Sequence, residues 1–132
     1  MCKSALYAAN TGIQQVAAGG QIDFGRIIRR FGQNLNLSGG NAVMDGSGYY
    51  DVTINIAFEA VTAGELNIAI YMDGTQIPGA IVTVPGTADI VYTETIPALI
   101  RVRVRCCRES IITVVPSEAV TITNAAIVMK KI

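Results

Sequence analysis

Residues 48–58, GYYDVTINIAF, alternate without a break. If this stretch is a strand, Tyr50, Val52, Ile54, Ile56 and Phe58 share one face, while Asp51, Thr53, Asn55 and Ala57 share the other, because successive side chains of a strand point to opposite sides. The first set belongs in a core. The second set is small and polar and contains no Lys or Arg. Water-facing strand positions usually carry some cations, so this second face reads as a contact face, with Tyr49, Asp51, Thr53, Asn55 and Ala57 as its candidate residues.

The composition agrees with a partly covered surface. In 132 residues, 51% are hydrophobic and only 15% are charged, whereas a small soluble monomer carries roughly a quarter of its residues as charges. The length fits one domain. Ten basic and ten acidic residues cancel, so no polyanion-binding footprint shows and nucleic acid is excluded as an expected partner. Pro, Gly, Asp or Arg interrupts every apolar run before about 18 residues, which excludes a membrane-spanning helix and a membrane partner. The first twenty residues contain no compact apolar block and read as neither leader nor anchor. Three cysteines, two of them adjacent at 106 and 107, do not form a disulfide framework, so synthesis in a reducing cytoplasm is expected.

Outward from the central stretch, period-two apolar runs separated by turn residues continue to the end of the chain. In GELNIAIYMDGTQIPGAIVTV (64–84), Leu66, Ile68, Ile70 and Met72 face inward. Asp73 and Gly74 supply the two positive φ values of a type I′ turn, and Ile77 returns opposite Ile70. Pro78 has no N–H for a ladder, which places the return strand at an edge or in a bulge. ADIVYTETI (88–96) and LIRVRVRCC (99–107) read as two further strands, followed by SIITVVP (110–116) and AVTITNAAIVMKKI (119–132). Before residue 48, SALYAANTGIQQV (4–16) has helix-like spacing through Leu6, Ala9, Ile13 and Val16, but Thr11 and Gly12 interrupt it, so two short strands are expected. Leu35 and Leu37 alternate as core candidates.

Candidate chemistry is sparse. The chain has no His, which removes the commonest general base and zinc ligand. Cys106 and Cys107 sit between Arg105 and Arg108, which lowers a thiol pKa in principle. Adjacent strand residues face opposite ways, however, so a structural role is the expected one. The Gly-rich pieces AAGG (17–20) and SGGNAVMDGSG (38–48) lack a phosphate-cradling order and read as loops. Asp45, Asp51, Asp73 and Asp89 suit turns; a calcium site built from them is the competing reading. No cofactor and no metal is expected, and no enzymatic activity. Arg101, Arg103 and Arg105 form a comb whose two readings stay open: a charged edge that blocks sheet-to-sheet aggregation, or docking onto a partner's carboxylates. Tyr49 and Tyr50 read as packing residues, with a sugar-stacking platform as the alternative.

GYYDV, DGTQIPGA, ESIITVV and the terminal NAAIVMKKI, in that order, resemble the jelly rolls of the tumour-necrosis-factor and complement-globular-head superfamily. Among its members, the chain is most similar to phage structural proteins and to the C-terminal domains of bacterial collagen-like surface proteins. Gly48, Tyr50 and Val52 match the start of the family's central strand. Asp73, Gly74, Ile77, Pro78 and Gly79 match its hairpin, and residues 128–132 match its last strand. The resemblance implies an all-β, antiparallel sandwich of about ten strands that assembles as a homotrimer through the sheet containing the central strand. It assigns residues 21–132 to the jelly roll and residues 1–20 to its first strands or an attachment segment.

The implied role is that of a virion-surface protein, decorating a capsid or forming a head fibre, with the major capsid protein or another virion protein as partner. Leu6, Tyr7, Arg101, Arg103 and Arg105 are its candidate contacts. The alternative is a receptor- or glycan-binding module at a fibre tip or bacterial surface. No Gly-X-Y tract precedes the domain, which favours the free-standing virion reading over a stalked one.

Overall fold

The structure, a computed structural model, describes residues 3–87, 90–103 and 109–132. These residues form β1 (Ala5–Asn10), β2 (Gln14–Val16), β3 (Arg26–Phe31), β4 (Leu35–Ser38), β5 (Asn41–Met44), β6 (Gly48–Ala60), β7 (Leu66–Met72), β8 (Thr75–Val84), β9 (Val91–Val102), β10 (Ser110–Pro116) and β11 (Val120–Lys131). A six-stranded sheet has the order β3-β1-β11-β6-β9, with β2 also paired to β11. A five-stranded sheet has the order β4-β5-β10-β7-β8, and every pairing is antiparallel. The expected all-β sandwich is therefore present.

The long strand β6 lies between β11 and β9, and its alternation decides the layering. Tyr50, Val52, Ile54, Ile56 and Phe58 are fully buried and meet Leu66, Ile68 and Ile70 of β7 and Ile112 and Val114 of β10 in one core. Burial of large aliphatic and aromatic side chains contributes about 1.5–3 kcal/mol each, so this single period-two pattern supplies much of the drive that joins the sheets.

Residues 4–16 fold as two short strands, β1 and β2, not a helix. The Asn10 Oδ1 accepts from the Gly12 N–H at 3.0 Å, an Asx turn that reverses the chain where a helix would have to continue. Gln14 then clamps residue 23 from both sides: its Nε2 donates to the Asp23 carbonyl at 2.7 Å, and its Oε1 accepts from the Asp23 N–H at 3.0 Å. Residues 5–10 and 14–16 thus supply the first strands of the sandwich. Strand β1 is paired on both sides, to β3 and β11, and Ile13, grouped with the apolar side by helical spacing, is exposed.

The β7–β8 hairpin has the expected turn, with Asp73 at φ 52° and Gly74 at φ 86°. Strand β8 lies at the sheet edge, as the missing N–H of Pro78 requires. The pairing of Ile77 with Ile70 is corrected: Tyr71 pairs with Gln76 and Ala69 with Ile81, so residues 77–80 bulge opposite Ile70. The two strands read from 88–96 and 99–107 also need correction. A single strand, β9, runs through Pro97. It does so because β9 is the edge of the larger sheet, where a residue lacking a donor is tolerated.

Gly40 sits at φ 82° in the β4–β5 turn, and a Cβ there would collide with the Asp23 carboxylate. Gly40→Ala combines left-handed strain with that clash and is expected to cost about 2 kcal/mol. A denaturant midpoint unchanged from wild type would refute this account of the turn.

Candidate interaction face

The outward face of the six-stranded sheet can be read row by row from the register. One row runs Arg29, Tyr7, Val128, Thr53, Pro97. The row on one side runs Phe31, Ala5, Lys130, Asp51, Leu99, and the row on the other runs Arg26, Ala9, Ala126, Asn55, Thr95. The face carries Leu99 (61% exposed), Phe31 (61%), Tyr49 (48%), Val128 (45%) and Tyr7 (40%). Single exposed apolar residues are ordinary, but large ones gathered on one sheet face mark an interaction surface. Small side chains flank the Tyr7–Val128 row on both sides, Ala5 in one neighbouring row and Ala9 with Ala126 in the other, which lets another backbone come close.

The predicted contact residues share this face. Tyr49, Asp51, Thr53, Asn55 and Ala57 all point away from the core. Thr95 Oγ1 donates to Asn55 Oδ1 at 3.4 Å, and Thr123 Oγ1 donates to the Ala57 carbonyl at 3.1 Å. Thr123 lies in the register shift between Ile122 and Asn124, a bulge that residue spacing alone did not locate.

The face is not free of cations, as the 51–57 stretch alone implied. Lys130 stands directly across the β11–β6 ladder from Asp51 as an opposite-charge cross-strand neighbour, and Arg26 and Arg29 end two rows of the face on β3. Signals of this kind lie in the pairing of distant strands and are invisible in either strand alone.

Two candidates assigned to different roles meet. Tyr49 and Arg101 are partners across the β6–β9 ladder, and the Arg101 guanidinium carbon lies 5.8 Å from the centre of the Tyr49 ring. This cation–π contact stiffens the end of the interaction face. The Arg comb is corrected: β9 ends at Val102, so Arg101 is in the strand, Arg103 follows it as an exposed residue, and Arg105 lies outside the described residues. Leu6 is also corrected as a partner contact. It is 1% exposed and belongs to the core cluster, because β1 directs its even-numbered side chains inward; its neighbour Tyr7 is on the outward side.

The expected carboxylate roles separate in the same way. Asp73 Oδ1 accepts from the Ile111 N–H at 2.9 Å, anchoring the β7–β8 turn against β10. Asp51 lies on the sheet face and Asp45 near the sheet rim; Asp89, Cys106 and Cys107 lie outside the described residues. Among the described residues, no group of three or more His, Cys, Asp or Glu is placed to hold a metal ion.

At the rim, Tyr50 donates from its hydroxyl to the Gly46 carbonyl at 2.8 Å, and the Lys131 Nζ lies 6.0 Å from its ring centre. Burial, and secondarily the Asp45 carboxylate, raise the Tyr50 pKa above its ordinary 10.0. The folded state therefore holds the phenolic proton longer than the unfolded chain does, and stability present below about pH 10 is lost as pH rises further. Tyr50→Phe is expected to lower the midpoint at neutral pH by the loss of about 1 kcal/mol of hydrogen bonding. It should also flatten the fall in stability above about pH 10. An alkaline profile identical to wild type would exclude Tyr50 as its source.

Beside Leu99 the face meets a largely apolar cleft of about 230 Å³ at the sandwich edge, lined by Met72, Ile77, Pro78, Leu99 and Ile100, with Thr75, Gln76 and Arg101 also bordering it.

No protein-family model matches the sequence, and no curated protein matches it. The structure itself has many likenesses. Murine APRIL superposes with a TM-score of 0.75 at 14% identity, covering 98% of this chain and 99% of that one. The globular domain of zebrafish complement 1qA gives 0.69 at 9% identity, covering 96% and 94%. The vertex protein P5 of PRD1 gives 0.64 at 18% identity, covering 97% and 95%. Identities this low report architecture alone. The two sheets, their order and these end-to-end superpositions give the chain the jelly-roll fold seen in these tumour-necrosis-factor-like and complement-head structures.

Proposed function

We propose that the protein is a non-enzymatic structural protein of a phage virion, working as a homotrimer that decorates or projects from the capsid. The observation that carries the self-association is the outward face of the six-stranded sheet, with its exposed Tyr7, Leu99 and Val128 around a floor of alanine and threonine. A closed ring of three requires a heterologous contact, in which this face meets a different surface of the next copy. The apolar edge cleft beside Leu99 supplies such a surface. Covering both would remove the excess of apolar surface that the composition reveals.

The virion role is supported by the likeness to the vertex protein of PRD1, a phage, together with the sequence resemblance to phage structural proteins. The working mechanism is adhesive: trimers seat at threefold or quasi-threefold positions and bridge capsid subunits, with the exposed Arg103 among the cationic contacts. Light scattering should return a mass about three times 14.0 kDa. Immunogold labelling of purified particles should then cover the head. A monomer in solution would sink the trimer, and label confined to a few copies at the tail tip would replace decoration with receptor binding.

A further inference from the structure

The outward face of the five-stranded sheet contains a depression whose origin is one small residue. Ala69 lies between Ile68 and Ile70, both core residues, and its own side chain points the other way: it is buried but stands outside the core cluster. Its cross-strand neighbours are Val115 and Ile81. Above and below lie Tyr71, paired with Gln76, and Asn67, paired with Thr83. A single methyl at the centre of larger side chains leaves a bowl of about 310 Å³, closed at one end by Gly19 and Ser117. Gly19 is held there by donating its N–H to the Pro116 carbonyl at 2.9 Å.

The lining fixes the class of ligand. None of the lining residues is acidic or basic, so phosphate, carboxylate and ammonium groups find no counter-charge. The floor of Ala69, Val115 and Ile81 is aliphatic and suits the C–H face of a pyranose ring, with the Tyr71 ring at one side. The rim is polar and partly preorganised. Thr83 Oγ1 donates to Asn67 Oδ1, which turns the Asn67 amide N–H groups away from Thr83. Ser117 Oγ accepts from the Asn67 backbone N–H at 2.9 Å and keeps its own proton to donate. Gln76 is exposed and offers both amide functions. Directed donors and acceptors around an apolar floor are the complement of a hydroxyl-rich, uncharged ring.

From this arrangement we infer that the bowl binds one neutral hexopyranose unit of a glycan, with Tyr71, Gln76, Asn67 and Ser117 as its recognition residues. The inference does not rest on trimer formation. The aliphatic floor and the Asn67–Ser117 end of the bowl are on the sheet opposite the interaction face and stay open when that face is covered, whereas Gln76 also borders the edge cleft beside Leu99.

The test is a heteronuclear NMR titration of the full chain with methyl α-D-mannopyranoside, methyl β-D-galactopyranoside, methyl β-D-glucopyranoside and N-acetyl-D-glucosamine. At least one should give saturable shifts confined to the amides around Ala69, Tyr71, Gln76 and Val115, with a Kd on the order of millimolar, as a shallow single-sugar site allows. Ala69→Leu fills the bowl and should weaken binding by more than about tenfold. Gln76→Ala, at an exposed edge-strand position, should weaken it about three- to tenfold with an otherwise unchanged spectrum, and it decides the matter if Ala69→Leu misfolds. Absence of saturable shifts with every sugar, shifts centred elsewhere, or undiminished binding by both variants would each overturn the proposal.

Discussion

Thr53→Arg should convert the proposed trimer into a folded monomer. Thr53 stands at the centre of the row that runs from Arg29 through Tyr7 and Val128 to Pro97. In an isolated chain its side chain is on the water side of the sheet, so an Arg there costs the fold no more than about 1 kcal/mol of strand propensity. In a trimer closed over this face, the same guanidinium would lose its water without a carboxylate to replace it, a penalty of several kcal/mol. Each 1.4 kcal/mol is about a factor of ten in association, so assembly at micromolar concentration should be lost. The control is Ile111→Arg, at an exposed position on the opposite sheet, which should leave the mass at the trimer value. A Thr53→Arg protein that keeps the trimer mass would show that the subunits meet elsewhere.

Much of this architecture is written in local pattern, and what is missing from the sequence reading is missing for definable reasons. The alternation from Tyr50 to Phe58 and the Asp73–Gly74 turn are visible because each depends on a few adjacent residues and one backbone geometry. The continuation of β9 through Pro97 is not, because a proline is tolerated or not according to whether its strand is at an edge, and edges are a property of sheet order. The Tyr49–Arg101 contact and the Lys130–Asp51 pair join residues fifty or more positions apart and depend on register, which a bulge such as that at Thr123 shifts by one residue. The bowl over Ala69 is hidden for a further reason. Its depth comes from the size difference between one alanine and neighbours on two other strands.

The N-terminal segment shows the same limit and leads to the second large effect. Alanine-rich sequence carries little periodic signal, so ALYAAN is expected as a short strand only because Thr11 and Gly12 interrupt the helical spacing, and an attachment role for it stays open. Its place between β3 and β11 puts Leu6 and Ala8 in the core and makes the segment a structural member. Ser4, just before it, donates from Oγ to Asn34 Oδ1 at 3.1 Å, and accepts from the Asn34 N–H at 3.1 Å. Leu6→Ala removes the buried branched end of a side chain that packs against both sheets, and should cost about 2–5 kcal/mol, depending on how far the site collapses. For a domain of this size that corresponds to a fall in Tm of roughly 10 °C. Removal of residues 1–12 goes further, because it strips the partner from β11 and leaves an unpaired inner edge that invites aggregation; no soluble trimer should be recovered. Tyr7→Ala, one residue away but facing outward, should change the melting of a monomeric Thr53→Arg background by less than about 1 kcal/mol. Similar losses for Leu6→Ala and Tyr7→Ala in that background would contradict the assignment of the two side chains to opposite faces of β1. A truncated protein that still folds and trimerises would return the segment to the role of a tether.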